Sequence, residues 1–320
     1  MKREIKSINE RFKIEDNCLK NKLILSKKIQ YEISKTYILL INLNTCITEI
    51  AKILINKGFN IYLYDKEKIS EKDITNNILL EKEDLGKSRL NIIYNKLIPL
   101  NATVSIHIVS NFNNLRDLKY VILGFKDYNT LRNYEEYFTR RNIYFYCINN
   151  SGILGFYYNN LSISSKNGDK IVIVDNNLFL KKSEKFFNDL KTNKKKPDKF
   201  ILAIYLLELY FRKNVNKKDL IAEVKNDFLN FDKFSQKITF FEKYFSKIGC
   251  EYIFKDIEIM TFVKKFIVNF NKEFNPLSSL ISEKVTNEIY NYITKKSIPK
   301  IGIITYDSDV ESFDYNNFLD

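Results

Sequence analysis

Glycine and proline are scarce in this chain, with 8 Gly and 4 Pro in 320 residues, and there is no Trp, one His and four Cys. Few glycines argue against several phosphate-cradling loops. Such loops need backbone that turns tightly and meets the anion with no Cβ in the way. The cysteines, Cys18, Cys46, Cys147 and Cys250, form no C-x-x-C pair. That spacing suggests neither a zinc site nor a disulfide framework, and a reducing intracellular compartment is expected. One histidine and no cysteine cluster cannot build a His-based metal site, so no metal is expected. That histidine, His107, sits in an alternating segment with no sequence-adjacent partner and reads as structural or surface rather than catalytic. No apolar run approaches the ~20 residues that span a bilayer. The N-terminus, Met1-Lys2-Arg3-Glu4, has no apolar region behind it, so neither a secretory signal nor a membrane partner is expected.

What is present is ordinary for a globular protein: 45% hydrophobic and 28% charged residues. The length allows one large domain or two smaller ones. The formal net charge of +13 raises a nucleic-acid or acidic-protein partner. Lysines are spread along the chain and no nucleic-acid motif accompanies them, so nucleic acid is not the expected partner.

The most informative stretch is Tyr37 to Asp65. The apolar run Tyr37 to Ile41 has the length of a buried parallel strand. Asn42 to Thr45 forms a turn. Ile47, Ile50, Ala51, Leu54 and Ile55 then share one helical face, Gly58 ends the helix, and the run Ile61 to Tyr64 finishes on Asp65. Strand, turn, helix, strand and terminal acid is the order of a Rossmann mononucleotide unit, in which that acid binds the ribose hydroxyls. The turn, however, has no glycine. Asn42, Asn44 and Ile47 stand in what reads as a degenerate phosphate loop.

Further strands are expected at 104–108, 118–124, 143–148 and 301–306, and helices at 18–35, 86–97, 128–140, 199–213, 260–270 and 277–293. Strands alternating with helices imply a mainly parallel sheet. The expected class is α/β, a Rossmann-like mainly parallel sheet flanked by helices, with an inserted, mostly helical segment. The expected divisions are a flexible N-terminus over 1–17, the first part of the α/β domain over 18–161, the insert over 162–270, closing helices and strand over 271–306, and an exposed acidic tail over 307–320. One or two strands of a different pairing are expected within 161–175. The basic run Lys194–Lys196 reads as a solvated loop, with nuclear import as the sharper alternative.

The ordered segments 37–52, 63–73, 86–104, 120–149 and 155–161, with 199–211 and 276–306, resemble the adenylation-domain family of ubiquitin-like-modifier activating enzymes. That family is related to the bacterial adenylyltransferases of thiamine and molybdopterin synthesis. Within it the chain is most similar to the small, non-catalytic subunits of SUMO-activating enzymes. The helix from Gly86 that ends on Leu100-Asn101 before a strand is the most telling piece. Active members carry a glycine-rich loop and an arginine in the segment matching 76–80, and this chain has neither. Asp65 stands at the ribose acid's position. Asp127 and Arg132 stand at those of a magnesium-binding Asp and a following Arg, and read equally as a strand-end acid and a surface cation.

The resemblance therefore implies a catalytically silent subunit in a heterodimer, in nucleus and cytoplasm. Its partner would bind ATP and magnesium, adenylate the modifier's C-terminus and form the thioester; this chain would bind no cofactor. Lys20 and Lys22 match positions from which such subunits reach the partner's ATP site, although lysine lacks the planar fork of arginine. A transfer cysteine needs an electropositive setting. Cys250, beside Glu251, lacks one and reads as packing, as do Cys18, Cys46 and Cys147. Two other readings stay open: an active nucleotide-binding enzyme, either an adenylyltransferase or an oxidoreductase, and a basic nucleic-acid-binding scaffold.

Overall fold

The computed structural model describes residues 27–164 apart from 113, 114, 116, 127 and 153, together with 170–173, scattered positions between 239 and 264, and most of 273–316. Lys20, Lys22, Asp127, Cys18, Cys250, Lys194–Lys196 and the helix expected at 199–213 lie outside the described residues. So does most of the segment expected as the insert.

The first helix, α1 (Lys27–Lys35), leads into β1 (Tyr37–Ile41), α2 (Thr45–Asn56) and β2 (Asn60–Tyr64). Helix α2 forms because Asn44 caps it, its side chain accepting the Ile47 N–H at 3.0 Å. Its apolar stripe of Ile47, Ile50, Ala51, Leu54 and Ile55 is fully buried. It stops at Gly58, whose φ of 89° is open to glycine at little cost. There Gly58 donates to the Ile55 carbonyl and Phe59 to that of Leu54, closing a Schellman turn.

A short α3 (Glu71–Asn76) follows, then α4 (Arg89–Leu97), β3 (Ile106–Ile108), β4 (Leu118–Gly124), α5 (Tyr128–Thr139), β5 (Tyr144–Ser151) and β6 (Leu154–Asn159). Helix α4 begins three residues later than the sequence pattern suggests. Gly86, at φ 76°, turns the chain, and Ser88 caps the helix by accepting the Asn91 N–H. After β7 (Leu161–Ser164) and β8 (Lys170–Ile173), the described chain resumes with α6 (Asn275–Ile293), β9 (Ile303–Asp307) and β10 (Ser312–Asn316).

Among the described residues eight strands form one sheet in the order β10-β9-β6-β5-β4-β1-β2-β3. Strands β1 to β5 run parallel, and β6, β9 and β10 extend the sheet antiparallel. This is the expected α/β class. Among the described residues β7 and β8 pair only with each other, so the segment expected as a helical insert begins with a hairpin. One expectation is corrected. The stretch 307–320 is not wholly an exposed tail, because β10 lies within it and pairs with β9. Ser312-Phe313-Asp314-Tyr315-Asn316 alternates polar and aromatic residues, a period of two that suits a strand despite the acidic composition.

Both sheet faces are buried, as a parallel sheet requires. Ile38, Leu40, Ile61, Leu63, Ile122 and Ile148 pack on one face with α2 and α6. Gly155 brings β6 against α6, since a Cβ there would lie 1.7 Å from the Ile281 methyl. Alternation puts Leu39, Val121, Leu123 and Phe145 on the other face, where Phe138 of α5 stacks on Phe145.

That second layer also buries Glu135, which accepts the Tyr158 hydroxyl. Burial pushes its carboxyl up to about 7, with the Tyr158 bond opposing only in part. The protonated acid is therefore favoured in the fold. Its contribution is complete below about pH 4.5 and is lost as pH rises through about 7. Glu135→Gln should remove this dependence, and should stabilise the protein at pH 8 by on the order of 3 kcal/mol while leaving pH 4.5 nearly unchanged. Urea unfolding at both pH values checks this.

Candidate functional site

In an open α/β sheet, ligands bind beyond the carboxyl ends of the strands where the strand order reverses. Here that point lies between β1 and β4, since β2 and β3 continue on one side and β5 on the other. Asn42 leaves β1 with φ 60°, a left-handed conformation that asparagine tolerates better than most side chains. Its N–H donates to the Tyr64 carbonyl at 3.0 Å.

The N–H groups that would face a phosphate are engaged by the chain itself. Leu43 N–H donates to Asp65 Oδ2 at 2.7 Å, and Asn44 N–H to the Asn42 carbonyl at 2.7 Å. Thr45 N–H donates to Glu273 Oε2 at 3.3 Å, and Ile47 N–H to Asn44 Oδ1. A carboxylate, Glu273, thus sits at the positive end of α2, where an anion is favoured. The glycine missing from the loop appears across from it, as Gly124 at the end of β4. A Cβ on Gly124 would lie 2.5 Å from the Asn42 carbonyl oxygen and 2.9 Å from the Ile47 side chain. Asn42 Nδ2 closes this approach by donating to the Gly124 carbonyl at 2.8 Å.

Asp65, expected as the ribose acid, stands at the end of β2 with its side chain 1% exposed. Its Oδ1 accepts the Glu67 N–H at 2.7 Å, and its Oδ2 accepts both Leu43 N–H and Arg89 Nε, the latter at 2.7 Å. Arg89 projects from the first turn of α4. Its Nη1 donates to Asp73 Oδ1 at 2.9 Å and its Nη2 to Asn42 Oδ1 at 2.7 Å. One guanidinium therefore joins the ends of β1 and β2 to α3 and α4. Burial disfavours the Arg89 charge, but Asp65 and Asp73 outweigh it and hold its pKa above the usual value. Burial likewise pushes the Asp73 carboxyl up, yet bonds from the Ser70 hydroxyl and N–H, with Arg89, bring it below the usual range.

Arg89 and Asp73 were not among the residues expected at the site. A signal was there to read. A lone cation in the first turn of a helix opposes the helix dipole, and α4 has no acid in that turn, so the cation must find its acids elsewhere in the fold. Ser70-Glu71-Lys72-Asp73 carries the pattern of a capping box, which the structure forms.

Beside this cluster lies a pocket of about 140 Å³ lined by Asn42, Asp65, Glu67, Lys126, Thr130 and Tyr134. Small-molecule sites usually enclose ~300–1,000 Å³. Lys126 and Glu67 pair on its rim, both about half exposed. The backbone of Arg132 lies in α5. Cys46 and Cys147 are buried. Burial pushes the Cys46 thiol up to about 12 and raises that of Cys147, so neither is poised as a thiolate. His107 is exposed on the edge strand β3, beside the Tyr37 and Tyr62 rings. Among the described residues no group of His, Cys, Asp and Glu could hold a metal ion, and no helix is long and apolar enough to cross a membrane.

No protein-family model matches the chain. DNA damage tolerance protein rad31 of Schizosaccharomyces pombe is 24% identical over 295 residues, spanning 88% of this chain and 89% of rad31. Among solved structures, Escherichia coli MccB crystallised with MccA-N7isoASN aligns at TM-score 0.55 and 15% identity. MccB with ATP aligns at TM-score 0.53 and 14% identity. Both alignments cover 91% of this chain but only 66% of MccB, so the chain spans just under two thirds of that enzyme's length. The fold is that of MccB. At these identities the likeness to MccB is one of fold, a Rossmann-like α/β frame.

Replacing Arg89 by Ala should destabilise the chain by about 3–5 kcal/mol, because Asp65 would be left as a buried charge without its cation. Pairing Arg89→Met with Asp65→Asn should cost less than the sum of the two single changes, by at least about 1 kcal/mol. Urea unfolding of the four proteins measures the coupling.

Proposed function

We propose that this chain is the non-catalytic subunit of a heterodimeric activating enzyme for a ubiquitin-like modifier, with SUMO as that modifier. One observation carries the reading. The turn after β1 keeps the place of a phosphate loop, while its N–H groups are bonded to Asp65, Asn42, Glu273 and Asn44. These bonds oppose ATP at the turn. Its phosphates would have to displace the Glu273 carboxylate, and its ribose would have to compete with Arg89 for Asp65. Asp65, Arg89 and Asn42 tie the ends of β1 and β2 together.

The similarity to rad31 over most of both chains and the MccB fold support a relative of the activating enzymes. In the proposed division of labour, the partner holds ATP and magnesium, adenylates the modifier's C-terminus and carries the thioester cysteine. This chain supplies a rigid half of the assembly. Asp65 is kept as a structural acid; the N-terminal lysines, Lys20 and Lys22, reach the partner's ATP site. The assembly works in nucleus and cytoplasm.

Affinity capture of the tagged full chain, followed by ATP–pyrophosphate exchange, tests this. A second Rossmann-type subunit with a glycine-rich loop should co-purify, and modifier-dependent exchange should require it. Exchange by this chain alone, or a chain that stays monomeric in its own cell extract, would overturn the proposal.

A further inference from the structure

Two cations are gathered on one ring where α2 and α6 end. The ammonium of Lys57, the C-terminal cap of α2, lies 4.6 Å from the centroid of the Tyr290 ring. The ammonium of Lys296, just beyond α6, lies 5.4 Å from the same centroid. The ring attracts both in their charged form, while the two charges repel each other. Lys57 is half-buried and Lys296 is exposed, so the pair is reached from solvent.

A lysine at a helix end ordinarily meets the last carbonyls. Here backbone and amide donors meet them instead. In α2, Ile53 accepts from Lys57 N–H and Leu54 from Phe59 N–H, while Ile55 accepts from Gly58 N–H and Asn101 Nδ2. In α6, Tyr290, Asn291 and Tyr292 accept the N–H groups of Thr294, Lys296 and Lys295. Among the described residues, neither ammonium forms a salt bridge or bonds a carbonyl. Burial weighs against the Lys57 charge, Glu283 favours it from beyond salt-bridge reach, and Lys296 weighs against it again. A half-buried cation beside a second cation lacks a counter-charge, which is costly. The turn itself is strained. Lys295 holds φ 57°, the left-handed position usually given to glycine. It places a third, exposed lysine at the same corner.

We propose that Lys57 and Lys296, gathered by Tyr290, form a binding site for a phosphate dianion, free or carried as a monoester. A dianion beside both ammonium groups turns their repulsion into attraction. Its oxygens accept charge-assisted hydrogen bonds from each. Two cations on one ring match the nearly two charges of a monoester better than the single charge of a diester. No covalent bond forms or breaks. The site lies at the opposite end of α2 from the turn after β1, roughly 18 Å away along its twelve residues. It therefore stands apart from the subunit reading above and needs neither a partner nor ATP.

The test is NMR of the full chain with isotope-labelled lysine side chains. Inorganic phosphate is titrated at pH 7.5, with ionic strength held constant by sodium chloride. The Lys57 and Lys296 signals should move together along one saturating curve, while those of the exposed Lys28 and Lys68 stay in place. Lys296→Gln keeps the backbone bond from residue 296 to the Asn291 carbonyl. It should weaken phosphate binding at Lys57 at least about fivefold, since one of two attracting charges is gone. Dimethyl phosphate, a singly charged diester, should bind at least about threefold more weakly than inorganic phosphate. Methyl phosphate separates the two sources. Binding as tight as that of inorganic phosphate supports the site with an organic monoester as its ligand, and weaker binding supports it with free phosphate. Shifts at Lys57 and Lys296 no larger than those at Lys28 and Lys68 would overturn the proposal. So would an affinity that Lys296→Gln leaves unchanged, or dimethyl phosphate binding as tightly as inorganic phosphate.

Discussion

The ion pair between Asp65 and Arg89 is the interaction on which the functional end of this sheet depends. Asp65 fixes the turn after β1 through Leu43 N–H and the turn after β2 through Glu67 N–H. Arg89 adds α3 through Asp73 and returns to β1 through Asn42. Three acceptors from three segments meet one planar cation, which lysine could not satisfy in the same way. A buried pair of this kind adds little net stability over an apolar substitute, yet breaking it is costly. Its value here is positional, because it holds four chain segments in one arrangement.

That arrangement explains how a Rossmann unit persists without its glycines. In a phosphate-binding turn, glycine leaves N–H groups open toward the anion. Here asparagines take over both tasks. Asn42 accepts the left-handed backbone, and Asn44 caps α2 with its own side chain. The need for a residue without a Cβ moves across the cleft to Gly124. Two N–H groups of the turn, those of Leu43 and Thr45, are met from within the chain by the carboxylates of Asp65 and Glu273.

Much of the fold was legible in the sequence. Runs such as Tyr37 to Ile41 and Leu118 to Gly124 declare buried parallel strands by composition alone, and the stripe of α2 by its period. The edge strand β10 was not, because an acidic stretch reads as solvated until its alternation is set against β9. The strand β6 was not singled out although it pairs locally with β5, and its second partner, β9, arrives about 145 residues later in the chain. Asp65 and the glycine-free turn at Asn42–Ile47 were singled out from their order in the sequence. Arg89 and Asp73 were missed because the first-turn cation and the capping box signal each residue separately, and their meeting arises only when α3 and α4 fold back over the ends of β1 and β2. Glu273 is further still, 228 residues from Thr45, to which it bonds.

The central claim is that the turn after β1 is closed by the chain's own groups. Amide hydrogen exchange of the purified full chain, with and without millimolar ATP and magnesium, tests it directly. Leu43, Thr45 and Ile47 should be equally protected in both conditions. Protection of these amides that increases with ATP would contradict the account, since it would mean that a phosphate displaces Glu273 and the Asn44 cap.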